Sequence, residues 1–378
     1  MIYLDHAATS WPKPETVGEA IAASLAEPLA NPGRGFHTGA MRSARLVFET
    51  RTALARLLNA PRAQDVVFTR GTTEGLNLVL KGFLKPGARV WVSPLEHNAL
   101  LRPLARLAAE RGVQVETLDA DPWGRLDLDA LARRARTEPE PALVAVAHAS
   151  NVNGAVQDLR GIREAIGKSV PLLVDAAQTA GVLPLDVRAP EIDFLAFSAH
   201  KGLLGPTGIG GCCLSPKHEV TQLIEGGTGS LSESAEHPAQ RPERYEAGTL
   251  NLHGIAGLKG ALDGLPEREL LGTHKQAMTR ILLDGLTKIE GVRVVSPLDG
   301  TALLASFVAE GIVSNTFAEQ LDHRYGILCR SGLHCAPATH RYLGTFPEGT
   351  VRFSPGWGTA ETDCQTALDA VRAVMNKK

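Results

Sequence analysis

Ser198-Ala199-His200-Lys201 closes an apolar run and opens a glycine-rich stretch containing Gly202, Gly205, Gly208, Gly210 and Gly211. A lysine at a strand end inside a ligand crevice can form a Schiff base with a carbonyl, and burial there lowers its pKa toward a reactive amine. Taken alone, Lys201 reads more simply as a solvated surface lysine. One apolar run earlier, Asp175 ends Val174-Asp175 and Gln178 follows one helical turn on. Asp175 can keep a heteroaromatic ring nitrogen protonated and Gln178 can reach a ring hydroxyl, although an Asp in that place can also cap the next helix.

Other run ends carry further groups. Gly71-Thr72-Thr73-Glu74-Gly75 opens a helix whose first N–H groups and positive dipole end suit a phosphate. It is neither a P-loop nor a GxGxxG fingerprint, and plain capping would also explain it. Glu96-His97-Asn98 places an imidazole that can stack on a flat ring. Asn151, in Ser150-Asn151-Val152-Asn153-Gly154, offers an amide to a ring oxygen or a substrate. Five strand ends therefore supply phosphate donors, a stacking ring, an amide, a carboxylate and a lysine. Together they suit pyridoxal 5'-phosphate, whose protonated ring acts as an electron sink.

The elements that must position these groups follow from the pattern. Short apolar runs at 65–69, 89–93, 114–118, 142–147, 171–175, 193–197 and 208–214 read as strands, with helix-length segments such as 100–111 and 128–136 between them. Such alternation predicts an α/β fold with a mainly parallel seven-stranded sheet covered on both faces, binding ligands beyond the strand C-termini. Residues 226–242, rich in Gly, Ser, Glu and Pro, read as a long surface loop. Helical patterns at 254–265 and 266–289 follow, then runs at 292–295, 302–308, 327–330 and 351–354 and a closing helix at 361–375, which predict a smaller α+β lobe. The expected division is a large domain at 15–259, with 1–14 and 260–378 forming the small one.

Composition narrows the class of function. The 378 residues carry 39 Lys+Arg against 41 Asp+Glu, a formal charge of −2, with no basic excess to mark a nucleic-acid or polybasic membrane binder. The five cysteines are odd in number and form no CxxC, which disfavours a disulfide scaffold. Cys329, His334, Cys335 and His340 fit no common zinc spacing, so no metal is expected. The N-terminus lacks the basic start and apolar run of a signal peptide, and no stretch is long enough for a membrane helix. The expected location is the cytoplasm.

These segments resemble, over nearly the whole chain, pyridoxal-phosphate enzymes of fold type I in the class V aminotransferase group, specifically the cysteine desulfurase/selenocysteine lyase-like family. The resemblance rests on Tyr3-Leu4-Asp5-His6-Ala7-Ala8-Thr9, Gly33-Arg34-Gly35-Phe36-His37-Thr38, Gly71-Thr72-Thr73-Glu74, Glu96-His97, Asp175-Ala176-Ala177-Gln178, Ser198-Ala199-His200-Lys201, Glu246-Ala247-Gly248-Thr249 and Arg330-Ser331-Gly332-Leu333-His334-Cys335-Ala336. The short Arg-to-Cys hook resembles the second group of desulfurases, whose cysteine is held near the cofactor.

The resemblance implies that Lys201 is the Schiff-base lysine, Asp175 the pyridinium partner and His97 the stacking residue. Asn151 and Gln178 complete the ring contacts. Thr73, Ser198 and His200, with the adjacent Thr72, match phosphate-binding positions. Thr249 resembles a residue that reaches the phosphate of the other subunit, which implies a homodimer with shared sites. Arg352 resembles the arginine that grips the substrate α-carboxylate, and Arg34, His37 and Arg330 match the substrate end. Cys335 matches the sulfur-accepting cysteine, and His334 and Arg330 nearby are expected to favour its thiolate. The implied reaction takes L-cysteine, or L-selenocysteine, to L-alanine and leaves sulfur as an enzyme persulfide for an acceptor protein. A different class V aminotransferase or β-lyase with Cys335 incidental is the alternative. Leu333 stands where many relatives carry a second histidine, and 353–358 and the 226–242 loop also depart from several subgroups.

Overall fold

The computed structural model describes residues 1–32, 35, 37–229, 233–265 and 268–376. Its strands are β1 (Ile2–Tyr3), β2 (Val66–Thr69), β3 (Arg89–Val92), β4 (Gln114–Thr117), β5 (Leu143–Ala147), β6 (Leu172–Asp175), β7 (Phe194–Ser198), β8 (Gly210–Leu214), β9 (Val292–Val294), β10 (Ala305–Ala309), β11 (Ile327–Leu328), β12 (Arg330–Gly332) and β13 (Thr350–Phe353).

Strands β2 to β8 form one seven-stranded sheet in the order β2-β8-β7-β6-β5-β3-β4. Six strands run one way, and β8 is antiparallel to both neighbours. The reversal has a local cause: only Ala199–Ile209 joins β7 to β8, with no crossover helix to return the chain to the starting edge. Alternate residues of each strand feed two separate cores. Val144, Val146, Leu172, Val174, Leu195 and Phe197 face one layer of helices. Leu143, Ala145, Leu173, Phe194 and Ala196 face the other. Both faces are therefore dry, which is why the runs look continuously apolar. The edge strand β4 differs, because only one of its sides pairs: Gln114, Val115 and Thr117 are exposed.

The C-terminal lobe has a four-stranded antiparallel sheet, β12-β13-β10-β9, and a two-stranded one, β1-β11. The run at 327–330 is expected as one strand, but the chain changes sheets at Cys329. Leu328 pairs with Tyr3 while Arg330 pairs with Arg352. The N-terminal segment is stitched to this lobe: Leu4 N donates to Leu328 O at 2.8 Å, and Ser354 N donates to Leu4 O at 2.7 Å. Helices Arg268–Leu286 and Glu361–Met375 cover the sheet, with Leu282, Leu286, Phe307, Phe317, Phe353 and Val371 in its core. Among the described residues, no helix is long and apolar enough to cross a membrane.

Candidate active site

Because six strands share a direction, the C-terminal ends of β2, β3, β5, β6 and β7 meet at one edge, and the chemistry-bearing residues collect there. Gly71 caps the helix Thr72–Phe83 with φ 153°, a conformation that glycine tolerates and L side chains rarely adopt. Gly210 lets this turn descend onto the sheet, since a Cβ there would lie 2.7 Å from Gly71 Cα. Thr72 N donates to Ser198 Oγ at 2.9 Å, and the two hydroxyls are 2.8 Å apart. With Thr73 and His200 they rim a cavity of about 470 Å3 at the helix N-terminus. His200 Nδ1 is buried without a partner. Burial, with Lys201 and Lys13 nearby, pushes the His200 imidazole down to about 4.

Beside this cup lie the ring-sized groups. His97 caps the helix Asn98–Arg111, and its Nδ1 accepts from Ala99 N at 3.0 Å, which fixes the ring and assigns any proton on the neutral imidazole to Nε2. Burial and the cations Lys201, Arg330, Arg102 and Arg352 lower its pKa to about 4, so the ring is neutral. Asp175 stands opposite Ala147 and Ala196 at the end of β6, and its Oδ1 accepts from Ala177 N at 2.9 Å. Burial raises its pKa, opposed by that bond and by Lys201. Lys201 itself is pushed down to about 8, chiefly by burial, with Asp175 acting against the shift. Gln178 Nε2 donates to Ala7 O at 3.0 Å, which ties the N-terminal segment to the same crevice.

The C-terminal lobe closes the other side. Arg352 is fully buried; its Nη1 donates to Asn151 O at 2.9 Å and its Nη2 to Asp5 Oδ1 at 2.6 Å, while Nε has no partner. Asn151 Nδ2 donates to His334 O at 2.7 Å, leaving Asn151 Oδ1 buried and unpartnered. His334 and Cys335 are both left-handed, at φ 47° and 59°, a two-residue hook that exposes the Cys335 thiol. Asn98 N donates to Cys335 O at 2.9 Å, so the hook is pinned to the residue after His97. Arg330 Nη2 approaches Cys335 Sγ at 3.6 Å.

The expectation that His334 assists this sulfur is corrected. Its ring turns inward, Nε2 lies 3.0 Å from Thr350 Oγ1, and burial lowers its pKa well below the ordinary value, so it lends no positive charge to the thiol. The Thr350 contact holds the His334 ring inside the lobe, while Cys335, the next residue of the hook, is exposed. Arg330 is the cation at the sulfur.

Two sequence-selected residues lie apart from the cleft within one chain. Thr249 is exposed, and its Oγ1 accepts from Asn31 Nδ2 at 3.2 Å. His37 is exposed at the start of the helix Thr38–Leu57. Arg34 falls outside the described residues. Sequence reasoning gave no role to Asp5, His6 or Lys275, which all face the cleft. Asp5 and His6 lie inside a quoted motif, whereas Lys275 carries no sequence signal beyond a polar residue on the apolar stripe of its helix.

A family model for aminotransferase class-V matches residues 2–366. A probable cysteine desulfurase of Methanothermobacter thermautotrophicus is 35% identical over 362 residues, 93% of this chain and 89% of that protein. Cysteine desulfurase CsdA of Escherichia coli is 33% identical over 383 residues, 98% of this chain and 93% of that protein. Among solved structures, the apo cysteine desulfurase of Thermococcus onnurineus superposes with a TM-score of 0.92 at 31% identity, covering 100% of this chain and 95% of that one. With one family model spanning almost all of its length, and relatives that match more than nine-tenths of it, this chain belongs to the aminotransferase class-V family, where it is similar to cysteine desulfurases.

Proposed function

We propose that the protein is a pyridoxal-phosphate-dependent cysteine desulfurase that converts L-cysteine to L-alanine and keeps the sulfur as a persulfide on Cys335. The observation that carries this reading is the exposed Cys335 thiol, hooked over the cleft and facing Arg330, while Lys201 and Asp175 occupy adjacent strand ends beneath.

The residues present fit the cofactor. A cavity at a helix N-terminus, rimmed by Thr72, Thr73, Ser198 and His200, suits its phosphate, and the buried, unpartnered His200 Nδ1 adds a group to meet it. Asp175 would meet the ring nitrogen, Asn151 Oδ1 and Gln178 the ring oxygen, and His97 the ring face. Lys201 would join the aldehyde carbon. Bound there, pyridoxal phosphate supplies an electron-poor ring that accepts the electron pair released at the substrate Cα.

The chain's own residues do the rest. Arg352, held by Asp5 and Asn151 O, presents its remaining N–H groups to the substrate carboxylate. Lys201 Nζ, pushed down to about 8 by burial, offers more free amine near neutral pH than an exposed lysine and takes the Cα proton. Cys335 Sγ attacks the substrate sulfur: an S–S bond forms as the Cβ–S bond breaks, carbon keeps the bonding pair and then takes a proton to become the methyl of alanine. Arg330 offers a positive partner to the attacking sulfur. Thr249, exposed on its own chain, completes the phosphate site of a second copy, so the working unit is a homodimer. Five free thiols among the described residues favour the reducing cytoplasm, with a sulfur-accepting protein as the next recipient.

The test is Cys335→Ser. Cofactor binding should survive, alanine formation from cysteine should fall by two orders of magnitude or more, and the persulfide found on the wild-type peptide should vanish. A serine variant that still makes alanine at near the wild-type rate would overturn the assignment in favour of an aminotransferase or another β-lyase. Retained turnover of selenocysteine alone would identify a selenocysteine lyase.

A further inference from the structure

Helix Arg268–Leu286 buries Leu271, Met278 and Leu282 against the rest of the molecule, and Lys275 stands on the same stripe. It is 8% exposed, and among the described residues its Nζ donates one hydrogen bond, 3.0 Å to Pro355 O. A leucine or methionine would fill that position without the cost of burying a cation. Lys275 instead lines, with Lys201, His6, Ser10, Gln178 and Trp357, a cavity of about 30 Å3, and no acidic side chain is among its lining residues. The fold thus places a second, immobilised lysine beside the first.

We propose that Lys275 is a positioning residue whose buried ammonium, while it holds its proton, favours the unprotonated nitrogen at Lys201. The inference rests on the functional reading above. Two like charges in one poorly solvated crevice cannot both be held cheaply, so the presence of one disfavours proton uptake by the other.

The surrounding cations agree in sign: Lys13 approaches from the N-terminal segment, Arg352 from β13 and Arg330 from β12, while His6, beside Lys275 and Lys13, is held neutral, its pKa pushed down to about 3. Asp175, from β6, and more weakly Cys335, from the hook after β12, act on Lys201 in the opposite sense. His274, on the same helix as Lys275, is turned to Thr359 O at 3.0 Å. Burial, Arg352 and Lys201 push Lys275 down to about 8, the same range as Lys201, so the two amines titrate together and a proton on one opposes a proton on the other.

The experiment is a pH titration of the cofactor absorption band in the holoenzyme, with wild type, Lys275→Gln and Lys275→Arg side by side. Gln keeps a donor for Pro355 O but removes the charge, and should raise the midpoint by about 0.5–1 pH unit, a 3- to 10-fold shift in the proton equilibrium. Arg keeps both and should leave the midpoint close to wild type. If Lys275→Gln does not fold, Lys275→Met, an apolar chain of similar length, reads the same midpoint. An unchanged midpoint in the neutral variant, or equal shifts in the neutral and Arg variants, overturns the proposal. Failure of the wild type to bind cofactor at Lys201 would instead overturn the functional reading.

Discussion

The two sides of the cleft are built differently. On the sheet side, Asp175, Ser198 and Lys201 sit on or just beyond strands whose every residue is buried, and the backbone that carries them is locked by parallel pairing. On the lobe side, Arg330 and Cys335 stand on a three-residue strand and a left-handed hook, half-buried and exposed respectively. Arg352 belongs to the lobe yet behaves like the sheet side: register places it opposite Arg330, but Asp5 and Asn151 hold it where Arg330 holds only the sulfur. Groups that must not move are bonded to backbone, and the group that must hand its sulfur onward is left accessible.

The largest effect is expected on the sheet side. Lys201→Ala should lower alanine formation by about 10²–10⁴-fold, since the base at Cα is lost. Some cofactor should still bind, because the phosphate cup is separate, and borohydride labelling of the wild type should map to Lys201. A label on another lysine would break the comparison at its base.

Both sides contain neutral buried histidines. His148 follows β5, while His6 and His340 belong to the lobe side, and burial holds them near 4, 3 and 4. Their folded-state pKa values lie below the unfolded value of 6.5, so the unfolded chain binds more protons as pH falls from 6.5. Stability should therefore drop through that window, by up to about 1.4 kcal/mol per pH unit for each histidine. Urea midpoints measured at pH 7, 6 and 5 check this, and a flat series would contradict it. Separate transitions for probes on the two sides would sharpen the contrast between them.

Arg352→Ala should weaken amino-acid binding by about 10- to 150-fold, the equivalent of about 1.5–3 kcal/mol for a charge-assisted bond, with a smaller effect on cofactor affinity. Unchanged KM would return Arg352 to a purely structural role. Arg330→Ala should slow persulfide formation several-fold with Tm unchanged, because its partner is an exposed thiol; a clear loss of Tm would show that β12 is as rigid as the sheet. Smallest of all, Thr249→Ala should cost the isolated fold less than about 0.5 kcal/mol, since it removes one exposed contact with Asn31. Its signature is weaker cofactor retention. In hybrids pairing it with Lys201→Ala subunits, the site with intact Lys201 borrows an intact Thr249 from its partner, so one full wild-type site should be recovered; failure to recover it would refute the shared-site geometry.

Much of the sheet side was legible because its signals are local. The seven runs, the glycine that caps Thr72–Phe83, and the side chains at each strand end are set by residue type and spacing over a few positions. On the lobe side the runs that became β9, β10 and β13 and the closing helix Glu361–Met375 were legible too, but their pairing was not. That Leu328 and Arg330 join different sheets depends on pairing with residues far along the chain, which no run of apolar residues encodes.

The sequence by itself determined which chemistry is present: a lysine, an acid and an imidazole at strand ends, and a cysteine after a short hook. Only the tertiary structure decided how those groups are charged and held. Asp5 reaches Arg352 across 347 residues, Lys275 is brought beside Lys201 by a helix of the other lobe, and His334 turns away from the thiol it precedes. Protonation depends on burial and on neighbouring charge, and both are properties of packing in three dimensions.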